Sequence, residues 1–319
     1  MDASRESTAG QHMALPVQHR GIGLRPRHAG KKKRHDAQQL LPSGVRITAT
    51  VLLTVMILVP IAYLLLLSVT PDAQVGTGDL LPTQWSFSNY AQMWSSVSLA
   101  QGIVNSLIIS GSASIIAVIL AVGAAYVLTR FTFVGRRPYL YLLIGVQAVP
   151  GVMLLIPLFV VFAWIQSAIL HFQLIGTYEV VILTYLTFAL PFATWIMVSY
   201  LGSIPLELEE AALVDGATRL RALWHVVVPL ALPGMVVALV FSFLTGWNDI
   251  LFASVLTNPN TRTLAYQLQV FSTAQEGGAL PLYGQLMGAA AISALPVVVL
   301  YMIFQRYLIG GLTAGGVKG

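Results

Sequence analysis

The chain has no cysteine. That excludes a disulfide framework, a thiolate metal site and a cysteine nucleophile, and it leaves the redox compartment unread. Charge is scarce as well: Asp, Glu, Lys and Arg together make up 9% of 319 residues, against roughly 25% in an ordinary soluble domain. A chain so poor in charge, 56% hydrophobic and with a mean hydropathy of +0.78, needs lipid as its solvent. No phosphate loop of the form G-x-x-x-x-G-K-[ST] is present, since Gly30-Lys31 and Val317-Lys318-Gly319 lack the glycine spacing. H-E-x-x-H and G-x-S-x-G are missing too, and no paired carboxylates suggest a pocket. The six histidines (His12, His19, His28, His35, His171 and His225) lie mostly near the N-terminus and do not fall at metal-ligand spacing on one helix face. These absences predict a non-catalytic chain that holds no metal or cofactor of its own.

Long apolar runs are abundant. A bilayer core needs roughly 20 apolar residues in helix, and six stretches meet that length, at about 46–69, 103–128, 139–164, 177–201, 230–256 and 284–307. Each is bounded by polar, Gly-rich or Pro-containing sequence, such as Thr70-Pro71-Asp72 and Thr257-Asn258-Pro259-Asn260. Membrane strands would alternate over about ten residues, so the predicted fold is an all-α membrane protein of six transmembrane helices. Residues 43–319 form this domain and residues 1–42 a basic, disordered tail, too polar for a signal peptide and without a core of its own. Pro60, Pro150, Pro157, Pro191 and Pro296 fall inside the spans and are expected to kink them. Gly284 and Gly288 predict close helix packing at the start of the last span.

The net charge of +5 does not signify nucleic-acid binding, because the basic residues crowd into Arg20 to Arg46 and do not spread over a folded surface. Counted by side, sixteen of the seventeen Lys and Arg residues fall in the tail, in the loops with Arg130, Arg136, Arg137, Arg219 and Arg221, and at Arg306 and Lys318. Only Arg262 lies on the other side. The positive-inside rule therefore places both termini in the cytoplasm.

The segment Ser203 to Pro233 lies between the fourth and fifth spans, on the cytoplasmic side by that count. It reads as two short helices. Ser203 is the expected N-cap, Pro205 fits the first turn, and Glu207, Glu209 and Glu210 put negative charge near the helix N-terminus. Gly216 is expected to end this helix in the left-handed conformation. A second helix is expected from Thr218 to Pro229, with Leu220, Leu223, Trp224, Val227 and Val228 on one face. An element too short to span and too apolar on one side to float free has two readings: a docking element, or an interfacial helix that anchors the loop.

Glu210-Ala211-Ala212, Gly216 four residues on, and then Val226, Val228 and Pro229 resemble the EAA loop of binding-protein-dependent ABC permeases. Valine stands at 226 and 228 where the pattern has isoleucine and leucine. Asp215 and Ala217 match the aspartate–glycine–alanine form of the sugar permeases. The resemblance covers roughly residues 42 to 319, and the run from Gln305 to Gly319 is similar to the tail of the maltose-type second permease. It implies the architecture of a type I ABC importer permease in the bacterial inner membrane, with a helix–turn–helix coupling loop over about 202–229. Glu210, Ala211, Ala212, Asp215, Gly216, Ala217 and Pro229 would then meet a cytoplasmic ATPase subunit, and Gly315, Gly316, Val317, Lys318 and Gly319, in the tail 308–319, would reach the ATPase dimer. The implied partners are a second homologous permease, two ATPase subunits that bind ATP and Mg, an extracytoplasmic solute-binding protein, and lipid. The implied cargo is a sugar, oligosaccharide or polyol.

Three further segments carry looser expectations. Leu81-Pro82 through Phe87, Asn89 and Tyr90 resembles the region after the first span of these permeases and is expected to form a short surface helix touching the binding protein. The loop around Gln275-Glu276-Gly277-Gly278 occupies the position of one that enters the binding protein's cleft in the maltose system. Glu179 and Asp249 are the acids within spans, where charge is expensive unless it faces protein or water. Trp247-Asn248-Asp249 resembles the tryptophan–asparagine–acid feature in the fifth span of sugar permeases and has two readings, a place on the solute path or helix packing with interfacial anchoring. An ion-gradient-driven secondary transporter would instead show internal repeats and coupling carboxylates. A membrane-embedded enzyme would show a catalytic constellation.

Overall fold

A computed structural model describes residues 42–75, 81–170, 172–275 and 282–316 of the protein. The described residues form helices α1 Ser43–Ser68, α2 Ser88–Ser96, α3 Leu99–Arg130, α4 Arg136–Ala148, α5 Gly151–Ile165, α6 Tyr178–Ser203, α7 Leu206–Val214, α8 Arg219–Ala222, α9 Val228–Trp247, α10 Leu251–Leu256, α11 Leu264–Gln275 and α12 Tyr283–Gly316, and contain no β-strand. Two compact units are distinguished. The first ends at Val55, part-way along α1, and the second begins at Met56. In the first, Thr50 and Thr54 return their hydroxyl protons to the carbonyls of Arg46 and Thr50, both at 2.8 Å, which hides polar groups on an apolar helix. Residues 1–41 of the expected tail lie outside the described residues.

The second unit is built around α3, α6 and α9. One face of α3 carries Ser106, Ser110, Ala113, Ala117, Ala121 and Ala125, all buried. Small side chains let neighbouring helices approach closely, which van der Waals packing between membrane helices requires. One apolar cluster joins Ala121, Ala125 and Tyr126 to Ala193, Met197, Leu223, Val227 and Ala231. A second joins Ile109 and Ala113 to Val180, Val181, Tyr185 and Phe252.

Six helical stretches among the described residues are long and apolar enough to cross a membrane: Ser43–Ser68, Leu99–Arg130, Gly151–Ile169, Tyr178–Ser203, Arg219–Trp247 and Tyr283–Leu308. Four agree with the expected spans to within a few residues. The third and fifth do not. The expected 139–164 helix is broken at Val149, which is extended (φ −77°, ψ 121°) before Pro150, because a proline's Cδ clashes with a helical residue preceding it. Pro150 is thus a break, whereas Pro60, Pro157, Pro191 and Pro296 lie inside continuous helices. The apolar stretch starts at Gly151 and runs on through a π-helical turn, Gln166–Leu170.

The expected 230–256 span shifts the other way. The second helix of the loop does not stop at Pro229. It runs through a π-helical turn, Leu223–Val227, straight into α9. Proline at 229 lacks an N–H and crowds the carbonyl one turn back, and the wider π turn supplies the room. At the far end the chain leaves helix after Trp247 and re-enters it at Leu251. The Asp249 carboxylate accepts the amide protons of Phe252 at 3.4 Å and Ala253 at 3.0 Å, which begins α10 as a separate helix.

Helix α12 packs on α2 through glycine, as expected. A Cβ on Gly284 would stand 2.3 Å from Asn89 Nδ2 and 2.8 Å from the Thr70 carbonyl oxygen, and one on Gly288 would be in ordinary contact with Met93. The expected surface helix near 81–90 begins at Ser88, and its Asn89 and Met93 are buried.

Candidate functional site

The helix–turn–helix between α6 and α9 is held in place by local chemistry that can be followed residue by residue. Ser203 is not the N-cap of α7. It is the last residue of α6, and its hydroxyl donates back to the Tyr200 carbonyl at 2.7 Å. Ile204 and Pro205 are extended, and α7 starts at Leu206 with Pro205 as its cap residue. Its end follows the Schellman pattern: Gly216, at φ +87°, donates to the Leu213 carbonyl at 3.1 Å, and Ala217 donates to the Ala212 carbonyl at 2.9 Å. This geometry gives the Ala-x-x-x-Gly-Ala spacing a physical cause. Thr218 then caps α8, its hydroxyl oxygen accepting from the Arg221 amide at 3.3 Å.

Beneath α7 lies a buried polar group. Glu209 is 2% exposed, and its two carboxylate oxygens have different donors on α3. Tyr126 donates its hydroxyl proton to Oε1, and Arg130 donates from Nε to Oε2 at 3.0 Å. Arg130 also reaches the Ile204 carbonyl oxygen with a terminal nitrogen at 3.2 Å, so one guanidinium ties α7 and the α6–α7 joint to the end of α3. Removing one partner of such a buried pair costs roughly 3–5 kcal/mol, because the other is left uncompensated. Arg219 of α8 stands over the Phe131 ring at 5.4 Å, and that ring meets Tyr126 edge-on at 6.0 Å.

The opposite surface is open. Glu210, Ala211, Asp215, Gly216 and Pro229 are exposed, and Ala212 and Ala217 are half-buried. The five apolar residues expected on one face of the second helix do not stay together: Val227 is 1% exposed and Leu223 is buried, whereas Leu220 is 65% and Trp224 54% exposed. The split begins between Leu220 and Leu223, ahead of the π turn Leu223–Val227. Leu223 and Val227 join the core, and Leu220 and Trp224 are exposed, as are Leu206, Leu208 and Val214 of α7.

At the far end of α9 an open cavity of about 380 Å³ is lined by Trp247 and Asn248, by α11 residues including Gln269 and Ser272, and by Ser293 of α12. Trp247 is buried and stacked on Phe243 with ring centres 5.3 Å apart. Asn248 is exposed and donates to the Leu244 carbonyl at 3.0 Å. Asp249 turns away toward α6 and α10: besides the two amides it accepts the Tyr185 hydroxyl proton at 2.9 Å.

Residues 114–313 match the model of the family described as "binding-protein-dependent transport system inner membrane component". The chain belongs to this family. The multi-pass membrane protein read from the sequence is thereby a binding-protein-dependent permease of the inner-membrane type. It is 33% identical over 267 residues to the diacetylchitobiose uptake system permease protein NgcG of Streptomyces coelicolor, covering 83% of this chain and 85% of that one. It is 35% identical over 262 residues to the trehalose transport system permease protein SugB of Mycobacterium tuberculosis, covering 82% and 93%. Among solved structures, a chain of a bacterial ABC transporter involved in the import of alginate superposes with a TM-score of 0.68 at 22% identity, over 84% of this permease and 98% of that chain. The all-α, six-span fold expected from the sequence is the fold of ABC importer permeases.

Of the remaining expected positions, Gly315 and Gly316 close the backbone of α12, and Val317, Lys318 and Gly319 lie outside the described residues. In the loop around 275–278, Gln275 ends α11 and Glu276 to Gly278 lie outside the described residues. Sequence reading of the permease missed Tyr126, Arg130 and the burial of Glu209. One signal was available: Arg130 is the only charged residue of α3, and Glu209 belongs to a group of three acids on the same predicted side.

Proposed function

We propose that this permease is one transmembrane subunit of an ATP-driven importer that takes a sugar or sugar-like solute from an extracytoplasmic binding protein into the cytoplasm. The observation that carries the reading is the α7–α8 element: an acidic–Ala–Ala helix closed by a Schellman glycine, anchored from below by Glu209 and presenting Glu210, Asp215, Val214, Leu220 and Trp224 outward. A mixed acidic and apolar surface of this kind suits a protein partner better than lipid alone, and the partner proposed is a cytoplasmic ATPase subunit. ATP and Mg belong to that subunit, and this chain contributes no catalysis. Both termini lie in the cytoplasm, and the tail through Gly315, Gly316, Val317, Lys318 and Gly319 extends toward the ATPase pair. A second, homologous permease completes the path.

The cavity beside Trp247 and Asn248 is proposed as this subunit's share of the solute path. Its polar lining consists of Asn248, Gln269, Ser272 and Ser293 with no ionisable group, which suits a neutral polyhydroxylated solute. Several relatives are named for disaccharide uptake, trehalose and diacetylchitobiose among them, in keeping with such a cargo. Asp249 has a supporting place here, fixing the turn that follows Asn248.

Co-purification with an ATPase and a second permease, followed by reconstitution in liposomes, tests the reading. ATP-dependent uptake of labelled sugar that requires a binding protein is the expected result, with Glu210→Lys hydrolysing ATP but taking up little sugar. Uptake by the chain alone on an ion gradient would overturn it.

A further inference from the structure

The helix–turn–helix is tied to α3 by three side-chain contacts, meets α6 through an extended joint and through Leu223 and Val227 packed with Ala193 and Met197, and runs on into α9. Tyr126 and Arg130 stand one helical turn apart on α3 and grip opposite oxygens of Glu209, while Phe131, just past the end of α3, lies under the Arg219 guanidinium of α8. The joint to α6 is Ile204-Pro205, two residues off helical geometry, and its one carbonyl bonded across elements goes to Arg130 of α3 as well. At the other end, α3 is fastened to the cavity wall. Asn105 donates to the carbonyls of Asn260 and Arg262, both at 2.9 Å, and the Leu264 amide donates to Ser106 Oγ at 2.7 Å. Leu264 opens α11, the helix that supplies Gln269 and Ser272 to the cavity. Gly102 completes the seam, since a Cβ there would sit 3.2 Å from Leu264 Cα. Helix α3 runs 32 residues without a proline, and its fastened residues Asn105 and Arg130 stand about 38 Å apart at the rise of a helix.

We infer that Glu209 is a positioning residue that makes the helix–turn–helix and α3 a single lever, carrying displacement of the docked surface along α3 to the α11 wall of the cavity. This rests on the importer reading and specifies its transmission path. Glu210, one residue on and exposed, faces the partner, while Glu209 keeps the surface from tilting on its own.

The test uses the full complex with both permeases, ATPase subunits and binding protein in proteoliposomes, and reads ATP hydrolysed per sugar taken up. In the double variant Arg130→Met/Glu209→Met, paired apolar side chains refill the volume without leaving a lone buried charge, so the complex is expected to assemble. Its hydrolysis should persist while the ATP-to-sugar ratio rises about tenfold, within the usual range for coupling between sites. Tyr126→Phe, which removes one hydroxyl, should raise the ratio by a smaller factor. An assembled double variant with the wild-type ratio overturns the inference; should that variant not assemble, a wild-type ratio in Tyr126→Phe overturns it. Failure of the wild-type complex to couple ATP to uptake would instead overturn the importer reading.

Discussion

Gly216 shows how a single residue links backbone geometry to the proposed task. Its φ of +87° lies in the left-handed region, and a Cβ there would meet nothing within 4 Å, so any penalty for substitution is conformational and not steric. An L-residue in that region costs roughly 1–2 kcal/mol, and asparagine is the best tolerated replacement for glycine. Gly216→Ala should therefore weaken the two closing hydrogen bonds to Ala212 and Leu213, and Gly216→Asn should weaken them less. Sugar uptake per ATP is expected to fall in the order wild type, Asn, Ala, with the amount of assembled complex unchanged. Equal uptake by all three would mean that the Schellman turn is not needed for docking. Asp249 teaches the complementary lesson: its three hydrogen bonds to Tyr185, Phe252 and Ala253 are all made inside the chain. An acid in an apolar run is a signal of constraint before it is a signal of ligand binding.

At the scale of elements, apolar length was enough to find six membrane helices, because lipid leaves the backbone no other way to satisfy its polar groups. Helix ends were legible where a residue type acts locally, as at Thr218 and Gly216. They were not legible at Val149 or Asn248, where apolar composition continues through a break made by Pro150 or by the Asp249 carboxylate. The face of the second loop helix was misread because apolar spacing does not say which of the neighbouring rows meets the core: Leu220 and Trp224 are exposed, whereas Leu223 and Val227 are buried. The Glu209–Arg130 pair was hidden because its members are 79 residues apart and nothing local joins them. Packing between α6 and α9 offers a direct check. A Cβ on Gly234 would lie 2.4 Å from the Tyr200 ring, so Gly234→Ala must displace that ring, at about 1–3 kcal/mol. Thermal unfolding in detergent should show that loss in the wild-type background and little of it in Tyr200→Ala, where the ring is gone. An equal loss in both backgrounds would mean that the two helices do not meet at this pair.

For the whole molecule, the proposed arrangement across the membrane rests on charge. Sixteen of seventeen Lys and Arg residues fall on one side of the expected spans, and the proposed topology puts that side, with the helix–turn–helix, in the cytoplasm by the positive-inside rule. In that topology the Asn258–Arg262 turn, bonded to the start of α3, falls on the opposite side. The lack of cysteine makes this arrangement testable without first removing any native thiol. Single cysteines at Glu210 and at Asn260, both exposed, should react in opposite ways with a thiol reagent that cannot cross the membrane. In intact spheroplasts Asn260→Cys is expected to be labelled and Glu210→Cys protected, and in inside-out vesicles the pattern should reverse. Co-expression of the ATPase subunit should then slow labelling of Glu210→Cys in the vesicles, because the surface carrying Trp224 and Leu220 becomes covered. Labelling of position 210 in spheroplasts would place the helix–turn–helix outside the cell, where no ATPase could reach it, and the coupling role would fall with the topology.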